Sequence, residues 1–252
     1  MCWSGEASTV IATIGLGSTA YFAYRGEDKR LWITLGYFSL MEALQAYTYG
    51  VIDNCSVPSN QVATLLGYLH IAFQPFFINM ISLYFIPNEV SKKIEPLVYT
   101  ACFIATIIML IQLYPFAWAG ECDPLRPLCG TQMCSISGNW HIAWDVPANG
   151  IGNYWVNTDI SLLSHGYIAY VVTSFLVPIL YGSWRLTLYH YILGPLLASM
   201  TTDNINEWPA VWCLFSIGLL LIVVKTPIRR ILFVRKWIFW PVLHHQKLEN
   251  DH

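Results

Sequence analysis

The chain has 252 residues, of which 56% are hydrophobic and only 11% are Asp, Glu, Lys or Arg, with a formal net charge of −2. A soluble domain carries roughly 25% charged residues. The balance excludes a disordered chain, and it argues against a nucleic-acid binder or an ordinary cytosolic enzyme. It points to a polytopic membrane protein of all-α class.

A helical span needs about 20 mostly apolar residues. Seven stretches qualify in chain order: 9–24, 31–51, 62–85, 96–115, 160–181, 186–200 and 209–224. Continuous apolar runs, rather than alternating ones, exclude a closed β-barrel. Met1-Cys2-Trp3-Ser4-Gly5-Glu6 has no basic residue, so it does not read as a signal peptide and the first stretch counts as a span.

Basic residues set the orientation. Arg25, Lys29, Arg30, Lys92, Lys93, Arg185, Lys225, Arg229, Arg230, Arg235, Lys236 and Lys247 fall on one face, and Arg126 alone on the other. The pattern predicts seven transmembrane helices with the N-terminus outside and the C-terminus in the cytoplasm of a plasma (inner) membrane. Residues 1–226 form the transmembrane domain. Residues 227–252 form a cytoplasmic tail with a juxtamembrane helix lying on the inner leaflet, its basic side chains drawn to anionic lipid.

The segment 116–159 is too long for a connector and reads as an ordered outer loop. It supplies a surface for a membrane-protein partner, the lipid bilayer being the other expected partner. Cys2, Cys55, Cys122, Cys129 and Cys134 all fall on the outer side, which predicts one or two disulfides in an oxidising exterior. The spacing does not give their connectivity. Cys102 and Cys213 lie within spans.

Ionisable residues inside a span are expensive and default to a functional hypothesis. Span two carries Glu42, with Gln45 and Tyr49 on the same helical face, and span three carries His70 and Gln74. At ~1.5 Å per residue Glu42 and His70 come to similar depths, about 14 and 12 Å below the outer ends of their spans. His165 enters from span five. His141 and Asp145 of the loop and Glu207 before span seven form a rim.

This constellation is expected to bind a metal ion or small ligand in an outward-facing cavity. His70, His165 and Glu42 suit zinc or another divalent metal, with Glu42 also a candidate catalytic base, and Gln45, Gln74, His141, Asp145 and Glu207 as ligand-binding groups. A membrane-embedded metal-dependent hydrolase follows if chemistry occurs, although no His-x-x-x-His or His-Glu-x-x-His pattern is present. The alternatives are a non-catalytic heptahelical receptor or sensor, an accessory subunit of a membrane complex, and a haem-binding redox subunit using His70 and His165. The plain structural alternative is that Glu42 and His70 pair to hold two helices together.

Overall fold

A computed structural model of the chain describes residues 3–151 and 168–240. His165, Asp159 and Cys2 therefore lie outside the described residues. The fold is mostly helical with one two-stranded sheet. Its helices are α1 (Gly5–Tyr24), α2 (Lys29–Tyr49), α3 (Pro58–Tyr84) and α4 (Asn88–Ile111), followed by α5 (Ile168–Leu180), α6 (184–201), α7 (Trp208–Lys225) and the short α8 (Ile228–Leu232). Strands β1 (Cys134–Ser137) and β2 (Ile142–Asp145) form an antiparallel hairpin between α4 and α5.

Three of the described helical stretches are long and apolar enough to cross a membrane: α3, α4 and Ile205–Lys225. Helices α1 and α2 have comparable length, but Gly, Ser, Thr and Tyr dilute their apolar residues. Helices α5 and α6 are each interrupted by one wide turn, at Val172–Leu176 and Ile192–Leu196.

Helix ends follow local chemistry. The Ser4 hydroxyl accepts from the Ala7 amide at the start of α1. Asp28 accepts from the Arg30 amide at 2.9 Å and from the Arg30 guanidinium, which holds its carboxyl below the usual range. At the end of α4, the Asn149 side-chain amide donates to the Ile111 and Tyr114 carbonyls, which have lost their helical partners. In α5, Pro178 has no N–H to give, and the Asn79 amide of α3 fills the Thr173 carbonyl at 2.8 Å.

Small residues bring α1 and α2 together. A Cβ on Gly15 would lie 2.1 Å from the Ser39 hydroxyl oxygen, and one on Gly36 would lie 3.0 Å from Thr19. Backbones that close give dispersion contact along the whole helix pair. At the opposite end from the hairpin, the chain leaving α8 becomes extended at Phe233. The Val234 amide donates to the Phe85 carbonyl, and the Trp237 and Trp240 indoles donate to the Leu180 and Tyr181 carbonyls at the end of α5.

A short helix does follow α7, but within the described part of the tail it spans only Ile228–Leu232 and gives way to extended chain that the Trp237 and Trp240 indoles tie to the end of α5.

Gly15→Ala should lower stability by about 1–3 kcal/mol through overpacking, and adding Ser39→Gly should recover much of the loss. Thermal unfolding of the purified single and double variants checks this. An additive double variant would mean that the contact is not the limiting one.

Candidate functional site

The hairpin caps one end of the bundle, and residues from distant parts of the chain attach it. Cys55, in the α2–α3 connection, forms a disulfide with Cys134 of β1. Asn60 of α3 acts as an extra strand edge: its carbonyl accepts the Ser135 amide at 2.9 Å, and its NH2 donates to the Ser135 carbonyl at 2.9 Å. Asp53 accepts from the Ser137 amide at 2.7 Å. Glu207, just before α7, accepts three consecutive backbone amides of the hairpin turn, those of Asn139, Trp140 and His141, at 2.5, 2.8 and 2.9 Å.

Glu207 has no exposed surface. Gly138 makes its approach possible, since a Cβ there would fall 2.3 Å from the carboxyl carbon. A second disulfide, Cys122–Cys129, closes a smaller loop beside the cap. Cys55, Cys122, Cys129 and Cys134 are thus paired, while Cys102 and Cys213 are free and buried.

Beneath the cap sits a group of buried polar side chains. Glu42, Gln45 and His141 are each 0% exposed. Both carboxylate oxygens of Glu42, both polar atoms of the Gln45 amide and the His141 Nε2 have no hydrogen-bond partner among the described residues. The Glu42 carboxyl faces the Ser8 hydroxyl and the Trp3 indole of the N-terminal segment. Those two groups bond to each other, with Trp3 Nε1 donating to Ser8 at 2.9 Å.

Trp3 and His141 stack with ring centroids 6.0 Å apart, and the Trp3 amide donates to the Trp140 carbonyl. The Tyr49 hydroxyl lies 3.2 Å from His141 Nδ1. One neighbourhood therefore joins the start of α1, the outer half of α2 and the hairpin.

The tautomer of His141 follows from its partners. Nδ1 accepts the Ile142 amide at 2.7 Å, so the proton of the neutral ring sits on Nε2. Nε2–H is then a buried donor without an acceptor. Burial also holds the imidazole well below its usual range, down to about 3. The ring is neutral at physiological pH and cannot serve as a counter-charge to Glu42.

The other predicted residues are placed differently. His70 and Glu42 do not pair. His70 stacks on Tyr37 of α2 at 3.8 Å, and the Tyr37 hydroxyl donates to the His70 carbonyl. Tyr37 lies about 7.5 Å inward of Glu42 along α2. The depths differ because α3 starts at Pro58, four residues before the predicted span, while α2 ends at Tyr49. Gln74 is satisfied on both sides, donating to Cys213 Sγ at 2.9 Å and accepting from the Tyr170 hydroxyl at 2.6 Å.

Asp145 accepts weakly from Asn206 at 3.4 Å, and burial raises its carboxyl. Glu207 is engaged by the hairpin backbone rather than open to a ligand. Among the described residues no group of three or more His, Cys, Asp or Glu is arranged to hold a metal ion.

Sequence reasoning had no signal for Asn60, Asp53, Trp3 or Ser8 as site-forming groups. Asn60 and Asp53 resemble ordinary turn residues until the strand they meet is known.

A bundle with three membrane-length helices and a disulfide-stapled hairpin cap is a class compatible with membrane association. Over residues 6–233 the chain matches the family described as "Family of unknown function (DUF5765)", and it belongs to that family. No curated protein and no solved structure matches it.

Glu207→Ala leaves three buried N–H groups without their acceptor and should cost about 3 kcal/mol or more. Glu207→Gln should lose less, since one oxygen remains. Thermal unfolding and protease sensitivity of the hairpin measure both.

His141 gives a pH signature with a fixed sign. Below its ordinary value of 6.5 the unfolded chain takes up a proton that the folded ring accepts only near 3. Its contribution is fully present above pH 6.5 and is lost as pH falls toward 3. At pH 5 the wild type should lose about 2 kcal/mol relative to His141→Asn, which keeps an acceptor for the Ile142 amide. Asp145 acts in the opposite direction, so the two proteins, which share it, are compared by thermal unfolding between pH 5 and 7.5. Parallel pH profiles would mean that His141 does not carry the effect.

Proposed function

We propose that this chain is a multi-pass protein of the plasma membrane that binds a small cation in a closed site under its outer cap. Glu42 supplies the counter-charge, and Gln45 and His141 position the ligand. The observation that carries this reading is the buried Glu42 carboxylate, with neither oxygen bonded and no ion-pair partner among the described residues. A buried charge left alone costs several kcal/mol, so it is expected to be neutralised by a proton or a bound cation.

The surroundings favour a cation that donates hydrogen bonds. Two Glu42 oxygens and the Gln45 carbonyl accept, while the His141 Nε2–H and the Gln45 NH2 meet an acceptor or a water on the ligand's far side. A protonated small amine meets the three acceptors directly, and a water beside it meets the two donors. A metal ion remains the second candidate through Glu42, although the arrangement of the described residues gives that ion no third protein ligand of the His, Cys, Asp or Glu type.

Seven spans with the N-terminus outside agree with the way the molecule is polarised. Trp3, the hairpin and both disulfides sit at one end. Arg30 bonds the Leu83 carbonyl, Arg185 the Ile231 carbonyl and Arg229 the Glu27 carboxylate at the other. Disulfides belong on an oxidising exterior and basic residues on the cytoplasmic side.

Tryptophan emission offers a reporter, because Trp3 and Trp140 flank the site with ring centroids 5.5 Å apart. Protein in mild detergent is titrated with methylammonium, zinc, manganese and sodium chlorides, and metal per chain is measured on untreated protein. A saturable change with methylammonium, weakened at least tenfold in Glu42→Gln, is expected. If no cation changes the emission and Glu42→Gln unfolds at the same or higher temperature than wild type, Glu42 is a protonated packing group and the reading fails.

A further inference from the structure

The end of the bundle opposite the cap carries a groove of about 690 Å3 formed where α7 turns into α8. Lys225, Arg229, Arg230 and Arg235 line it, with Tyr84 and Phe233 among its apolar walls. Lys225, Arg230 and Arg235 are exposed and Arg229 is half-buried. Among the described residues one carboxylate is ion-paired with this set: Glu27 accepts from Arg229 Nη1 at 2.9 Å. The other ion pair among the described residues, Arg30–Asp28, belongs to the start of α2. Four basic side chains thus converge on one concavity; among the described residues Glu27 is ion-paired with Arg229 and Asp28 acts on Arg229 from farther off.

The groove is built rather than incidental. Arg229 Nε donates to the Tyr84 hydroxyl at 2.7 Å, and its guanidinium lies 5.1 Å from the centre of the Tyr84 ring. Arg229 Nη2 donates to no protein acceptor among the described residues. Lys225 sits 4.8 Å from the Tyr21 ring and 4.9 Å from the Phe22 ring. Aromatic faces and Glu27 fix two of the cations, while Arg230 and Arg235 have no ion pair among the described residues. Planar guanidinium donors around a concave floor suit a phosphate group.

The same corner exposes large apolar side chains. Ile231 is 64% exposed beside Arg230, and Ile222 is 42% exposed one turn before Thr226. A ligand with an anionic head and an apolar tail satisfies both features at once, whereas a free phosphate satisfies only the first. We infer that the Lys225–Arg229–Arg230–Arg235 groove is a binding site for the phosphate headgroup of an anionic phospholipid. The assignment of that lipid to the inner leaflet rests on the orientation proposed above. Binding itself is measured in micelles, where there are no leaflets, so the two can fail separately.

The test uses full-length protein in a non-ionic detergent and reads the unfolding temperature against added ligand. The probes are phosphatidic acid and phosphatidylcholine, each with two eight-carbon chains, together with inorganic phosphate. Phosphatidic acid should give a saturable rise in unfolding temperature that phosphatidylcholine and phosphate do not match. Arg230→Gln and Arg235→Gln should each weaken the apparent affinity about fivefold, the equivalent of ~1 kcal/mol per basic residue at a lipid surface. These side chains are exposed, so both variants should fold.

Lys92→Gln with Lys93→Gln removes two positive charges from the same end, outside the groove, and should leave the affinity unchanged. An equal response to inorganic phosphate would replace the lipid with a soluble phosphate ligand and overturn the proposal. So would an equal loss in the Lys92/Lys93 variant, which would reduce the effect to general surface charge. The absence of any saturable shift with phosphatidic acid would overturn it outright.

Discussion

The capture of the Glu207 carboxylate by three successive amides of the hairpin turn is the interaction on which the capped end depends. A turn that offers consecutive N–H groups to one side makes a small anion site. Here the anion is the protein's own, delivered by the 3-10 turn Ile205–Glu207 that leads into α7. With the turn fixed, His141 is held with Nδ1 toward its neighbouring amide and Nε2 committed to the interior. Trp140 and Trp3 then close over the Glu42 side of the bundle. Remove the carboxylate and each of these placements loses its support.

The buried polar residues differ in how far their hydrogen bonds are met. Asn60, Gln74, Asn79 and Asn149 hold elements together, and each has its hydrogen-bonding capacity met by named partners. Among the described residues, the Glu42 carboxylate, the Gln45 amide and the His141 Nε2 are equally enclosed and unmet in one neighbourhood, while His70 Nε2, the Trp144 indole and the Ser174 and Ser183 hydroxyls are buried and unmet singly elsewhere. Buried polar groups in folded proteins are overwhelmingly paired, so an unmet cluster calls for a specific explanation.

Much of the helical layout could be read from hydropathy alone, because helices occur at each of the seven apolar stretches the described residues cover. What could not be read was depth. Moving the start of α3 back to Pro58 slid His70 inward by more than a turn and replaced an expected Glu42–His70 pair with His70 on Tyr37. The hairpin was also hidden, since four-residue strands inside a long Trp- and Cys-rich loop give too little alternation to detect. His141 and Glu207 stood out as rim residues. Their actual partners, a ring nitrogen on a neighbouring amide and a carboxylate on three amides, are backbone contacts that side-chain types do not announce. The short extent of the tail helix was hidden for a similar reason: indole donors meet helix-end carbonyls that no local pattern reveals.

The attachment points of the cap also impose an order of assembly. Asp53, Cys55 and Asn60 precede the hairpin in the chain, so β1 can dock as soon as it is made. Glu207 follows the hairpin by more than sixty residues and arrives only with α7. Until then the turn amides lack the Glu207 acceptor. Glu42 and His141 are therefore enclosed late, and the last long helix is the one that fixes the turn over them.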